Sequence, residues 1–185
     1  GSVEGAVAQC VDALGGLSVL INNAGITATV PFTKQTEESW RAVIDTNVNG
    51  AWLVAQSVTK AMIDANEGGN IVNVASIMST RVAGHLTAYC TSKGAILQLT
   101  RSMGLDLTRY SIRVNAIAPG YIHTPFNEEF FESDAGRKVI ARIPQRRLGE
   151  AKDLDGAILL LSSAASAYMT GSVVTVDGGH LQSTL

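Results

Sequence analysis

Apolar positions change their period several times along this chain, and each change marks an element. Val3, Val7, Val11 and Leu14 recur at helical spacing and predict a helix over 3–14, stopped by Gly15 and Gly16. A short apolar run over 17–21 reads as a buried strand, ended by the turn-forming residues Asn22, Asn23, Ala24 and Gly25. Thr36 has the character of an N-cap, with Glu37 and Glu38 in the first turn behind it, and opens a helix running towards residue 65. Strand-like runs follow at 70–75, 112–118 and 172–176. Between them lie a long apolar helix over 88–110 and a helix over 150–163. The stretch 127–143 is mixed, with Gly136 interrupting its helical pattern, and is expected to form a mobile helical segment; the longer stretch 123–143 is expected to act as a lid over the substrate.

These strands are short continuous apolar runs, not polar–apolar alternations. Such runs belong to a parallel sheet covered by helices on both faces, which predicts a doubly wound α/β fold. In that architecture ligands bind at the carboxyl ends of the strands, which directs attention to residues 22–25, 76–79 and 119–124.

At 185 residues, without linker or internal repeat, the chain reads as a single domain over 1–185. Eighteen glycines suit the tight turns of an α/β protein. Fourteen basic against 16 acidic side chains leave no basic stripe for nucleic acid and no polybasic tail for a membrane surface. No membrane span or signal peptide is recognisable, so a soluble cytoplasmic protein is expected. Cys10 and Cys90 match neither a disulfide framework nor a zinc ligand set, and no metal site is expected.

The candidate chemistry lies at the start of the 88–110 helix, where Tyr89 and Lys93 stand four apart and face the same way. One such pair arises by chance in roughly a tenth of chains with this many tyrosines and lysines. Ser76, at the end of the preceding strand, makes coincidence about tenfold rarer. A free phenol titrates near pH 10, and lowering that by about three units needs roughly 4 kcal/mol. An ammonium about 4 Å away at an effective dielectric near 20 supplies about that much. Ser76 would hold a carbonyl or hydroxyl oxygen against the phenol, and the three groups together would exchange a proton with an alcohol or ketone. The electron pair must then leave as hydride, which no side chain accepts, so a cofactor is required.

Beyond this, the run Leu20 to Gly25, the Asn47-Val48-Asn49-Gly50 motif, Ser76, Tyr89-x-x-x-Lys93 and Arg113-Val114-Asn115-x-x-x-Pro119-Gly120 together resemble the short-chain dehydrogenase/reductase family. The ending over 170–179 is similar as well, and the resemblance covers the whole chain. It implies a Rossmann-like sheet, NAD or NADP as cofactor, a small-molecule alcohol or ketone substrate (sugar acid, polyol or 3-oxoacyl type), and a homo-oligomer, dimer or tetramer. It implies Tyr89 as general acid/base, Ser76 as orienter of the reacting oxygen, and Lys93 as the group that lowers the Tyr89 pKa and grips the nicotinamide ribose. Asn47 would sit at a break in its helix and hold a water leading from Lys93 to solvent. Asn23, Ala24 and Gly25 would flank the cofactor, and Pro119, Gly120, Ile122 and Thr124 would line its nicotinamide end. The expected dimer surface uses Trp52, Val54 and Val58 on one helix with Ile96, Leu97, Leu99 and Leu105 on the other.

One departure is large. The family's opening strand and Thr-Gly-x-x-x-Gly-x-Gly turn, which receives the pyrophosphate on a helix N-terminus, have no counterpart in these residues. About 60 residues of the usual layout are missing, including the first strands and helices. The expectation is therefore a truncated chain representing the C-terminal part of a dinucleotide-binding domain and inactive by itself. The alternative is a catalytically silent module that keeps the fold and mediates oligomerisation. His85 reads as a solvated loop residue, His123 and His180 have no metal-like partners, and the four methionines read as packing. Arg142, Arg146 and Arg147 form either a solvated face or a contact for an anionic substrate.

Overall fold

The computed structural model describes residues 2–125 and 127–183. Its helices are α1 (Ser2–Leu14), α2 (Glu37–Ile44), α3 (Ala51–Ala65), α4 (Thr87–Leu107), α5 (Glu128–Glu132), α6 (Asp134–Ile140) and α7 (Asp155–Ser162). Strands β1 (Val19–Asn22), β2 (Gly69–Val74), β3 (Ile112–Pro119) and β4 (Val173–Val176) form one sheet in the order β1-β2-β3-β4. Every pairing is parallel, with Val19 opposite Asn70, Gly69 opposite Ile112 and Ala116 opposite Val173.

The central strands β2 and β3 are covered on both faces, which is why they do not alternate, while Val19 and Ile21 of the edge strand β1 are exposed on one face. On one face Ile71, Ile112 and Val114 pack with Val58 and Met62 of α3, Met103 and Leu107 of α4, and Val7 of α1. On the other, Val72 and Ile117 meet Leu161 of α7. Asn73 is polar and fully buried between these layers. Its amide donates to Thr100 Oγ1 at 2.9 Å and its oxygen accepts from Asn22 Nδ2 at 3.2 Å, so its burial leaves neither end unpaired.

Thr36 caps α2 as its sequence predicts, its hydroxyl accepting from Ser39 N at 3.1 Å. The helix expected from there to residue 65 is divided by a π-helical stretch, Asp45–Gly50, which carries Asn47 at the break expected for it. The 127–143 segment forms two short helices folded on each other. Gly136 does not interrupt a helix there: it lies within α6, where an added Cβ would fall 2.2 Å from Phe130 O. The hairpin is seated by Phe131 and Ile143, both buried. Of the side chains expected at a dimer surface, Val58, Ile96 and Leu97 are used in the core, while Trp52 and Leu105 are exposed.

Candidate active site

Four strand ends and the start of α4 bring the chemistry together. Tyr89 and Lys93 occupy the first turns of α4, so both point to the carboxyl edge of the sheet. Ser76 follows β2 and opens a short 3-10 turn, its hydroxyl accepting from Met78 N at 3.1 Å. The same hydroxyl lies near enough to the Tyr89 phenol to act on its pKa.

Asn47 is 2% exposed and works as a clamp. Its Oδ1 accepts from Ile26 N at 2.8 Å, and its Nδ2 donates to Ile26 O at 2.9 Å and to Ser92 Oγ at 2.9 Å. Ser92 in turn donates to Tyr89 O at 2.8 Å. The π-helical stretch thus aims one amide at both the loop after β1 and the first turn of α4. Ser92 was missed in the sequence reading, although a small polar residue beside Lys93 in an apolar helix is a signal that could have found it.

Lys93 is 5% exposed. Its ammonium donates to Val74 O at 2.8 Å and lies 5.7 Å from the centroid of the Tyr89 ring. Burial lowers its pKa from 10.5 to about 8. The Tyr89 pKa is raised, chiefly by burial, with Ser76 offsetting part of the rise and the Cys90 thiol adding to it. This corrects the expectation that Lys93 lowers the phenol pKa. The ammonium is turned to the Val74 carbonyl and is not among the groups that shift the phenol, whose desolvation dominates.

Asn23, Ala24 and Gly25 are exposed at the end of β1. A Cβ placed on Gly25 would sit 3.5 Å from Lys93 Nζ and 3.3 Å from Asn47 Oδ1, so a side chain here would crowd the Asn47 amide and fill space beside the ammonium. Pro119 is buried and Gly120 N donates to Val176 O at 2.9 Å, which holds the strand end. Ile122 bridges to Gly149, and Thr124 N donates to Asn127 Oδ1 at 3.0 Å. No hydrogen bond among the described residues joins Pro119, Gly120, Ile122 or Thr124 to the catalytic candidates. The link comes from Tyr121, whose phenol is close enough to Tyr89 and Cys90 for both to raise its pKa, although burial is the larger cause.

The residues around Lys93 fit the ribose and nicotinamide end of a dinucleotide: a buried ammonium, an exposed turn and a glycine that leaves room between them. The 185 residues contain no glycine-rich turn for its pyrophosphate.

A family model described as enoyl-(acyl carrier protein) reductase matches residues 1–180. The 5-keto-D-gluconate 5-reductase of Escherichia coli strain K12 is 38% identical over 180 residues, covering 97% of this chain and 70% of that protein. The chain belongs to the short-chain dehydrogenase/reductase family. Another member, the 3-oxoacyl-(acyl-carrier-protein) reductase of Thermotoga maritima, is 38% identical over 177 residues, covering 96% of this chain and 71% of its own length. Among solved structures, a gluconate 5-dehydrogenase from Burkholderia cenocepacia J2315, in complex with NADP and tartrate, superposes with a TM-score of 0.93. It is 33% identical, with 98% of this chain and 71% of that chain covered. The family is one of oxidoreductases using NAD or NADP, and no helix among the described residues is long and apolar enough to cross a membrane.

The expected packing role of the methionines is met: Met62 and Met78 are buried, and Met103 and Met169 pack against core clusters. His85 and His123 are exposed, His123 standing 3.7 Å from Glu128.

Proposed function

We propose that this chain carries the substrate and nicotinamide side of an NAD(P)-dependent oxidoreductase acting on a secondary alcohol or its ketone, of the sugar-acid, polyol or 3-oxoacyl type. The observation that carries the reading is the gathering of the Ser76 hydroxyl and the Tyr89 phenol beside the buried Lys93 ammonium at the carboxyl edge of the sheet. Ser76 and Tyr89 converge on one oxygen of the substrate. Ser76 donates to that oxygen and fixes it, while Tyr89 Oη takes the hydroxyl proton in oxidation and returns it in reduction. The nicotinamide ring, when bound, supplies the acceptor or donor of hydride. Lys93 would turn from Val74 O to the ribose hydroxyls, with Asn23, Ala24 and Gly25 alongside and Pro119, Gly120, Ile122 and Thr124 at the nicotinamide end. That movement brings a positive charge closer to the phenolate form of Tyr89. Asn47 holds the Ile26 loop and, through Ser92, the backbone of Tyr89, and it is the point from which a proton path to solvent would start.

In this reading residues 1–185 are one part of a dinucleotide-binding domain that works in the cytoplasm as a homo-oligomer. The exposed Trp52 of α3 and Leu105 of α4 would lie at the subunit interface. A second reading is a silent module that keeps the fold and assembles. Calorimetric titration of NAD and NADP into the 185-residue chain separates the two. The silent module predicts no binding and no turnover even when the chain is joined to a glycine-rich βα unit. The oxidoreductase reading predicts weak binding by the chain alone and alcohol oxidation once that unit is supplied.

A further inference from the structure

His180 follows β4 in a short turn that folds back to the carboxyl edge of the sheet. Its backbone oxygen accepts from Arg81 Nη1 at 2.7 Å, which ties the turn to the loop after Ser76. Asp177 braces it from within, accepting from Gly179 N at 2.8 Å and from Leu181 N at 2.7 Å. The imidazole lies against Tyr121, with ring centroids 5.6 Å apart, and Phe131 packs edge-on to the other side of Tyr121 at 5.5 Å. A row of rings thus runs from the 127–143 hairpin through Tyr121 to His180, beside the Tyr89 phenol. His180 Nδ1 is buried and has no hydrogen-bond partner among the described residues. A buried polar atom without a partner is costly, and at a ligand-binding edge the missing partner is most simply a ligand group.

We infer that His180 is a specificity-determining residue whose imidazole hydrogen-bonds a hydroxyl of a polyhydroxylated substrate on the carbon chain beyond the one held by Ser76 and Tyr89. This deepens the oxidoreductase reading and rests on it. Burial and the nearby Arg81 and Arg142 lower the His180 pKa, Asp177 opposing them, so the ring is neutral at pH 7 and can accept as well as donate. The surroundings suit such a substrate. Arg81, Arg142 and Asp177 lie near enough to His180 to act on its charge and Tyr121 stacks beside it, so charged and polar groups gather there, whereas an acyl chain would need apolar ones. Substrate entry exchanges the buried orphan nitrogen for a paired one, so the contact favours hydroxylated substrates over those that leave the nitrogen unpaired.

His180→Phe keeps the ring against Tyr121 and removes the nitrogen, and His180→Asn returns a short hydrogen-bonding group. In the holoenzyme, kcat/KM would be measured for D-gluconate and D-sorbitol against 2-butanol. The phenylalanine variant should lose about tenfold or more of the selectivity for the hydroxylated substrates, mainly through KM, with cofactor affinity unchanged and part of the loss restored by asparagine. A parent that prefers 2-butanol, or a variant that loses equally on all three, overturns the inference. If the parent turns over none of them, the oxidoreductase reading is judged by its own cofactor titration, and calorimetry with D-gluconate decides this one. Binding that is present in the parent and lost in His180→Phe upholds it, and equal or absent binding overturns it.

Discussion

Replacing Lys93 by methionine should change how stability depends on pH in the cofactor-free protein. The lysine proton leaves the folded chain near pH 8 and an unfolded chain near 10.5. Between those values the unfolded chain binds more protons, so stability rises with pH across that window. Below pH 8 both states are charged and the cost of burying the ammonium is fully present. At about 1.4 kcal/mol per pH unit, the difference between 10.5 and about 8 corresponds to about 3 kcal/mol. Methionine fills most of the same volume with nothing to titrate. It leaves Val74 O without the donor that Lys93 supplies at 2.8 Å, a loss of about 1–2 kcal/mol. The variant should therefore be more stable than the parent by about 1–2 kcal/mol at pH 7 and less stable by a similar amount near pH 10.5. Urea unfolding of both proteins at steps from pH 7 to 10.5 measures this, and the ionisation of other groups cancels in the difference. A stability difference that stays constant over that range would refute the buried-ammonium reasoning, whatever the variant does to activity. Turnover should be lost throughout, which would make Lys93 a residue kept for function against stability.

Tyr89→Phe should leave fold and cofactor affinity intact while kcat/KM falls by about a thousandfold or more; a loss within about tenfold, read in steady-state kinetics, would remove Tyr89 as the proton carrier. Asn47→Ala deletes three hydrogen bonds, the one to Ser92 fully buried, and should cost about 1–3 kcal/mol in urea denaturation while weakening cofactor binding, because the Ile26 loop and the Tyr89 turn both lose their anchor. Gly136→Ala has no room beside Phe130 and Phe131 and should open the α5–α6 hairpin, seen as faster proteolysis within 127–143 and a raised substrate KM with cofactor affinity unchanged.

Much of the architecture was legible locally. The runs 17–21, 70–75, 112–118 and 172–176 became parallel strands, and in the central two burial on both faces leaves no place for polar alternation, a signature written in each run alone. Thr36 capped its helix because capping needs only the residues of one turn. Tyr89 and Lys93 shared a face because helical spacing dictates it. The short helices of 127–143 were harder to read, since the close approach that Gly136 permits depends on a neighbouring helix and not on its own turn.

The sequence by itself determined which residue types stand at the strand ends and the family to which the chain belongs, because both depend on order and spacing along the chain. Tertiary structure alone decided the electrostatics. Lys93 bonding to Val74 O, nineteen residues away, and a Tyr89 pKa raised instead of lowered both follow from how deeply packing buries the two groups, which spacing does not encode. The same holds for polar pairs brought together across the fold. Asn22 meets Asn73 across neighbouring strands, Asn47 meets Ser92 across 45 residues, and Arg81 meets the backbone of His180 across 99. Hydrogen bonds act over about 3 Å, and only the closed sheet with its covering helices brings residues so far apart in sequence within that reach.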